Sequence, residues 1–221
     1  MLEALKEEVC QQNHELPRNG LVVGSGGNVS GRDPESGLVV IKPSGVKFER
    51  LTPETMVVVN PDGNVVEGEM KPSVDTGIHL FVYRHRKDVQ GMCHTHSPYA
   101  TSFAARGERI PAVLTPITHI LGRDVPCSRY ATPGEVDTGQ AIVEAADGGM
   151  AVLVKAHGVF TMGKSATEAT SIAIYLEEAA KTMHLAMLRG SVEELPQKEI
   201  DRCYAWFRQN YGQTGKKPVN S

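Results

Sequence analysis

The sequence has 221 residues, of which 40% are hydrophobic and 22% charged, so one domain over residues 1–221 can form a substantial core. The formal net charge of −3 argues against a basic surface for nucleic acid or anionic lipid, and no apolar run approaches the roughly 20 residues that a membrane span requires. Four widely spaced cysteines and a charged N-terminal segment without signal-peptide features favour a cytoplasmic protein with reduced thiols.

The first half of the chain combines amphipathic helices with short strands. Apolar residues at helical spacing predict a helix over residues 2 to about 14. A glycine-rich turn over residues 24–30 follows, and a second helix is predicted from residue 75 to about residue 86. Strands are predicted at residues 38–41, 56–60, 65–66 and 89–93.

The second half of the chain carries clearer helix signals. Ser97 and Pro98 are typical of an N-cap and a first helical residue, and Ser165 with Glu168 forms a capping box before a long helix. Residues 110–132 are rich in proline and glycine and are predicted to be irregular. The remaining elements are a strand at residues 150–154 and a helix at about residues 196–209. Because βαβ units do not alternate regularly, we predict an α/β fold with a central, largely antiparallel sheet covered by helices.

Histidines at two strand ends indicate a metal site. His94 and His96 are two residues apart, so both imidazoles point to the same side of a strand. His157 follows a second apolar strand, and the three rings would converge if the two strands lay side by side. Three neutral imidazoles suit Zn²⁺ with one position open for substrate. The alternative is a chance pair in a chain with eight histidines, of which His14, His79, His85 and His184 are predicted to be surface or packing residues in helices.

Glycine and hydroxyl residues at turns suggest an anion pocket. The glycines of residues 24–30 would let backbone N–H groups approach a phosphate. Ser44-Gly45 and Ser73 are small residues at other turns, and Ser73 precedes a helix N-terminus, which attracts anions. A flexible turn is an equally good interpretation of residues 24–30, and Asp75 at the helix start is more often a cap than a catalyst.

Together these motifs resemble the class II aldolase/adducin family over nearly the whole chain. The matching segments are Gly27-Asn28-Val29-Ser30, Ile41-Lys42-Pro43-Ser44-Gly45-Val46, Val65-Val66-Glu67-Gly68, Lys71-Pro72-Ser73-Val74-Asp75-Thr76, His94-Thr95-His96-Ser97, Ile110-Pro111-Ala112, Val125-Pro126-Cys127, His157-Gly158 and Tyr211-Gly212-Gln213. The resemblance implies a three-layer α/β/α sandwich that assembles into a homotetramer with active sites at subunit interfaces.

The resemblance also implies roles for single residues. His94, His96 and His157 would bind Zn²⁺, although the same ligands accept Mn²⁺, Co²⁺ or Fe²⁺. Asp75 matches an acidic position beside the metal, and Tyr211 matches an acid/base residue contributed across a subunit boundary. The phosphate pocket would be formed by Ser25, Gly27, Asn28, Lys42, Ser44, Gly45 and Ser73.

Two residues depart from the family pattern. Val74 stands where relatives carry a second phosphate-pocket serine. His119 falls on the position of the epimerases' catalytic aspartate, where a histidine could also move a proton.

The resemblance implies retro-aldol chemistry on a phosphorylated ketose, a small-molecule substrate. The motifs before residue 97 and the aspartate at position 75 favour an L-ribulose-5-phosphate 4-epimerase-like enzyme. An L-fuculose-1-phosphate-type aldolase that releases dihydroxyacetone phosphate is the alternative, favoured by His119. A non-catalytic adducin-like module is a more remote alternative, because all three candidate metal ligands are present.

Overall fold

A seven-stranded sheet runs through the chain. The computed structural model describes residues 2–133 and 136–212. The strands are β1 (Asn28–Arg32), β2 (Val39–Ile41), β3 (Val57–Val59), β4 (Val65–Glu67), β5 (Gly91–Thr95), β6 (Ala151–Val154) and β7 (Gly158–Gly163). Their order in the sheet is β4-β3-β2-β1-β5-β7-β6, and all of these neighbouring strands pair antiparallel. The prediction of a central, largely antiparallel sheet is therefore confirmed.

Seven α-helices surround this sheet within the described ranges. They are α1 (Glu3–Arg18), α2 (Thr76–His85), α3 (Pro98–Arg106), α4 (Thr115–Leu121), α5 (Val136–Ala146), α6 (Ala166–Met187) and α7 (Gln197–Asn210). None of them is both long enough and apolar enough to span a bilayer, in the part of the chain that the structure describes.

Side-chain alternation along the strands gives the sheet two apolar faces. Val40 and Val58 pack in a core cluster with residues of α1 and α6. Val39 and Val57, the adjacent residues, pack in a second cluster with residues of α2 and α5. Because neighbouring strand residues point to opposite faces, buried valines on both faces require cover on both sides.

Five elements differ from the sequence-based predictions. The predicted turn at residues 24–30 ends in strand β1, and His94 lies within β5 rather than after it. Strand β7 and helix α5 were not predicted. The prediction of an irregular segment at residues 110–132 is wrong, because α4 lies within it. Its boundaries follow known signals, since Pro116 is in the first turn and Gly122 adopts the left-handed conformation after the last turn.

The predicted helix caps are only partly correct. Ser165 accepts a hydrogen bond from the Glu168 amide at the start of α6, whereas the Glu168 carboxylate accepts one from the Lys164 amide instead of completing the capping box. Ser97 makes no capping hydrogen bond. Glu177 of α6 accepts the amides of Tyr99 and Ala100 at 2.9 and 2.8 Å, so a distant carboxylate caps α3.

Candidate metal centre

Three imidazoles meet at one end of the inner strand β5. His94 belongs to β5, His96 lies just beyond it, and His157 lies in the turn between β6 and β7. Their candidate ligand nitrogens all lie within 4.8 Å of one another, and their ring centroids are 4.7 to 5.4 Å apart. Such a cluster fits a single divalent cation and leaves room for a further ligand.

The predicted convergence occurs by a different route from the one that the sequence suggested. Strands β5 and β6 are not neighbours, because β7 lies between them. The β6–β7 hairpin places His157 beside β5, where Thr95 pairs with Val159. The sequence analysis expected the rings to meet if the two apolar strands were neighbours in the sheet. The strands are not neighbours, although the three rings do meet.

The ring of His94 is fixed in a form suited to metal binding. Its Nδ1–H donates to the carbonyl of Val159 at 2.9 Å, which leaves Nε2 as a free ligand. The ring also stacks on Phe160 with a centroid distance of 4.1 Å. Burial lowers the pKa of His94 to about 3, against the opposing effect of Asp75, and burial also lowers the pKa of His96 and of His157. All three imidazoles are therefore neutral at physiological pH, the form that binds a metal.

Gly158 packs so closely against these rings that a larger residue does not fit. A Cβ atom there would lie 2.6 Å from the Thr95 carbonyl oxygen and 2.7 Å from Cδ2 of His96. We expect Gly158→Ala to displace His96, to lower the free energy of unfolding by about 1–3 kcal/mol and to weaken metal affinity. Urea denaturation and a metal titration measure the two effects.

Gly77→Ala provides the matched control for this substitution. A Cβ atom at Gly77 would meet nothing within 4 Å, and Gly77 lies in α2. Alanine there should leave stability unchanged or raise it by up to about 1 kcal/mol. If Gly158→Ala kept both the stability and the metal affinity of the wild type, the close packing would have no consequence for the site.

Asp75 is joined to the phosphate-pocket candidates by hydrogen bonds. The amide Nδ2 of Asn28 donates to the Asp75 carboxylate at 2.7 Å and to the Ser73 hydroxyl at 3.1 Å. Burial by itself would raise the pKa of Asp75, but the nearby rings of His94 and His79 and the Asn28 amide hold it below its usual value. Asp75 is thus an ionised carboxylate beside the imidazoles, able to accept a proton.

Lys42 places a buried positive charge next to this carboxylate. The side chain is only 2% exposed, and its ammonium donates to the carbonyls of Ser25 and Pro43. Within the described residues no carboxylate forms an ion pair with it. Burial lowers the pKa of Lys42, while Asp75 opposes that shift. An anionic ligand would supply the charge partner that the ammonium lacks.

Two loops hold the remaining pocket candidates close together. The Ser44 amide donates to the Lys71 carbonyl, and the Ser73 amide donates to the Lys42 carbonyl. Ser44 is exposed, and Gly45 has φ of +69°, which a residue with a side chain rarely adopts. The structure therefore brings Ser44, Gly45 and Ser73 to one rim.

The glycine-rich loop approaches the metal centre from the other side. A Cβ atom at Gly27 would lie 2.8 Å from the His94 carbonyl oxygen, so only glycine allows this approach. Ser25 is half-buried, and its carbonyl accepts a hydrogen bond from the Lys42 ammonium. Val74, which interrupts the family pattern directly after Ser73, is 73% exposed.

His119 and Tyr211 lie together, but on another surface. Both rings stack on Phe207 of α7, with centroid distances of 5.0 Å for His119 and 4.2 Å for Tyr211. They line a cleft of about 450 Å³ together with Tyr175. The described lining of this cleft contains none of the three clustered histidines. Gln213, the last residue of the Tyr211 motif, lies outside the described residues.

His79, predicted to be a surface or packing residue, is fully buried, as expected of a packing residue. It lies one helical turn after Asp75, the residue that precedes α2. The spacing of four residues on a predicted helix was the sequence signal that the two residues share one helix face.

The sheet and the converging imidazoles define a protein whose site fits a divalent metal. The sequence profile of the "Class II Aldolase and Adducin N-terminal domain" family matches residues 7–184. The chain belongs to this family, and the resemblance noted from the motifs is confirmed.

Solved structures of the same fold carry aldolase names. The chain is similar to an "L-fuculose 1-phosphate aldolase", with 34% identity, a TM-score of 0.88, and coverage of 93% of this chain and 96% of that one. A second L-fuculose-1-phosphate aldolase, from Thermus thermophilus, shows 28% identity, a TM-score of 0.73 and coverage of 86% and 98%. YgbL from Escherichia coli, titled a putative aldolase/epimerase/decarboxylase, shows 28% identity, a TM-score of 0.80 and coverage of 91% and 98%.

Proposed function

We propose that this protein is a divalent-metal-dependent aldolase that cleaves a 1-phosphorylated ketose and releases dihydroxyacetone phosphate. The observation that carries the proposal is the cluster of His94, His96 and His157 beside the ionised Asp75. The similarity at 34% identity to an L-fuculose 1-phosphate aldolase supports the choice of substrate class. Zinc is the favoured ion, with Mn²⁺, Co²⁺ and Fe²⁺ as alternatives that the ligand set also accepts.

The chemistry requires the electrons of one carbon–carbon bond to be accepted by a carbonyl. When the C4 hydroxyl of the ketose loses its proton, the C3–C4 bond breaks, C4 becomes an aldehyde and the bonding electrons form an enediolate over C3 and C2. A proton delivered to C3 then gives dihydroxyacetone phosphate. A bound divalent cation would supply Lewis acidity toward the C2 carbonyl oxygen.

The chain's own residues would bind the phosphate and move the protons. Lys42 and the loops that carry Ser25, Ser44 and Ser73 present a buried ammonium and polar groups to the phosphate. The backbone at Gly27 and Gly45 and the amide of Asn28 complete the proposed pocket. Asp75 is placed to exchange a proton at the reacting carbons, because it is ionised and lies beside the imidazoles.

The L-ribulose-5-phosphate 4-epimerase remains the second candidate. It would use the same bond cleavage, but the aldehyde would stay bound, rotate and add back to the enediolate. Its support is the aspartate at position 75, and the sequence motifs alone favour it. The similarity to two L-fuculose-1-phosphate aldolases supports the aldolase as the first candidate.

Assays of the purified protein with both sugar phosphates separate the candidates. We expect L-fuculose 1-phosphate to release triose phosphate in the presence of added Zn²⁺. Inversion of L-ribulose 5-phosphate at C4 without free aldehyde would favour the epimerase instead. If the protein catalysed neither reaction and bound no metal, the adducin-like module would be the remaining interpretation.

We further propose that the active protein is a homotetramer in which Tyr211 and His119 act at a neighbouring copy's metal centre. Its support is that these two residues share a cleft of the chain whose described lining lacks the clustered histidines. Three other sequence-based statements stay predictions: the single domain over residues 1–221, the three-layer arrangement and the cytoplasmic location.

Mixing two inactive variants tests whether the site is shared between copies. His96→Ala and Tyr211→Phe are each expected to have little activity. Mixed assemblies formed at equal amounts should recover about one quarter of the wild-type activity, because that fraction of sites combines an intact centre with an intact tyrosine. A mixture of His96→Ala with His157→Ala is the matched control and should recover none. Absence of recovery in verified mixed assemblies would place each site within one chain.

A further inference from the structure

A carboxylate from α6 caps α3, the helix that begins just after the first two clustered histidines. Glu177 accepts the backbone amides of Tyr99 and Ala100 at 2.9 and 2.8 Å, one amide on each of its oxygens. These are the first two amides of α3, because Pro98, its first residue, has no N–H. A side chain at the N-cap position normally accepts one of them, but Ser97 leaves both to Glu177. The start of α3 is therefore fixed to α6 by two charge-assisted hydrogen bonds.

The side chain of Tyr99 makes two further contacts with the same helix. Its ring lies 5.7 Å from the His184 ring, centroid to centroid, and the Lys181 ammonium lies 5.9 Å from the centroid of the tyrosine ring. Residues 177, 181 and 184 are three or four positions apart, so they share one face of α6. The N-terminus of α3 is thus held against α6 through both its backbone and its first aromatic side chain.

His96 lies in the short link between β5 and this anchored helix start. Thr95 is the last residue of β5 and pairs with Val159 of β7, and α3 begins at Pro98. Only His96 and Ser97 join the two elements. Thr95 and Ser97 are each 1% exposed, and the Thr95 hydroxyl donates to the Ser97 hydroxyl across 3.4 Å. With both ends fixed, a link of two residues leaves His96 little freedom to turn its imidazole away from the other two rings.

We infer that Glu177 is a positioning residue for His96, because its carboxylate fixes the helix start at which the link ends. The carboxylate also leaves the Ser97 hydroxyl available to Thr95, since the amides that this serine would otherwise cap are already bonded. Without Glu177, Ser97 would turn toward the vacant amides and the link would shift with it. A cation held by the three imidazoles would then bind less tightly. This inference rests on the metal centre of the proposed function but not on its substrate.

The zinc affinity of the full chain tests the inference, measured by competition with a chromogenic chelator. We expect Glu177→Ala to weaken Zn²⁺ binding by about tenfold, the lower end of the effect of removing a group that orients a metal ligand. Glu177→Gln keeps one acceptor oxygen and should recover part of this loss. Wild-type affinity in Glu177→Ala would overturn the inference.

A second long-range cap provides the matched control. Glu8 of α1 accepts the amide and the hydroxyl of Thr167, both at 2.9 Å, in the first turn of α6. This cap lies at the other end of β5, because Ser165, which precedes α6, packs against Gly91, the first residue of that strand. Glu8→Ala and Glu177→Ala should both lower the thermal midpoint of the metal-free protein by about 2–4 °C, but only Glu177→Ala should weaken Zn²⁺ binding. Equal loss of affinity in the two variants would reduce Glu177 to a contributor to stability alone.

The absorption spectrum of bound Co²⁺ tests the geometry of the centre directly. Its visible bands depend on the number and arrangement of the ligands, so a displaced imidazole changes their position and intensity. We expect the spectrum of Glu177→Ala to differ from that of the wild type, and the spectrum of Glu8→Ala to match it. Identical spectra in all three proteins would contradict the inference, because His96 would then be held in place without Glu177.

The remaining outcomes keep this test separate from that of the proposed function. If Glu177→Ala does not fold, Glu177→Gln is measured in its place; its zinc affinity should fall by about threefold or more, and a smaller loss would overturn the inference. If the wild type binds zinc but cleaves neither sugar phosphate, the proposed reaction fails, while the metal titrations still decide the role of Glu177. If the wild type binds neither Zn²⁺ nor Co²⁺, the metal centre fails and this inference fails with it.

Discussion

His96→Ala is expected to remove stoichiometric metal and to lower kcat about a thousandfold or more. His96 is one of three imidazoles whose ligand atoms lie within 4.8 Å of one another, and two remaining ligands hold a cation much less firmly. Lewis acidity toward a carbonyl oxygen is worth several kcal/mol, and about 4 kcal/mol corresponds to a factor of about a thousand in rate. Elemental analysis of the dialysed protein measures the metal, and the sugar-phosphate assay measures kcat.

The matched control for His96→Ala replaces a histidine outside the centre. His85 is exposed at the end of α2, where its Nδ1 contacts the Phe81 carbonyl, so His85→Ala should keep both metal and activity. His96 is itself partly exposed to solvent, and its loss should change the thermal midpoint of the metal-free protein little. A His96→Ala protein that retained one equivalent of metal and full activity would remove the basis of the functional proposal.

Asp75→Asn is expected to lower kcat by about 10²- to 10⁴-fold while one equivalent of metal stays bound. Asparagine keeps the shape of the side chain but cannot take up a proton at catalytic pH, which is the role we assign to the carboxylate. The three imidazoles that hold the metal are unchanged. The bound metal and kcat are measured as for His96→Ala, and KM is determined for the same substrate.

A surface aspartate serves as the control for this change. Asp62 is exposed in the turn between β3 and β4, and Asp62→Asn should leave kcat unchanged. A low rate in Asp75→Asn could come from loss of proton transfer or from loss of the metal, and the metal content separates the two. Loss of the ion would mean that Asp75 helps to retain the metal. Full activity in Asp75→Asn would show that another group carries the proton.

Local signals allowed much of the fold to be predicted. Helix α6 is long and begins at Ser165, whose side chain caps the Glu168 amide, so its start was evident from the sequence. Helix α4 was missed because the proline and glycine that mark its two ends were interpreted as signs of an irregular segment. Glu177 could not be predicted as the cap of α3, since the two helices meet only through tertiary packing.

The candidate site was predictable where its residues are neighbours in the sequence. His94 and His96 share one side of a strand, which their spacing already requires. The approach of His157 depends on β7 pairing with β5, a long-range arrangement that residue spacing does not encode. The bond from Asn28 to Asp75 is equally non-local. His119 and Tyr211 are proposed to act at the metal centre of a second copy. The sequence of one chain indicates such a contact only through its resemblance to relatives.

The location of His94 on an inner strand also bears on how the ion enters and leaves. The strand is bonded to β1 and β7, and the ring stacks on Phe160 and donates to the Val159 carbonyl. Because these contacts come from the sheet, we expect the centre to be preassembled, unlike that of a zinc finger, whose chain folds only around its ion. Chelation should leave an intact scaffold that can be reloaded, so one apoprotein preparation can be charged with different ions and compared directly.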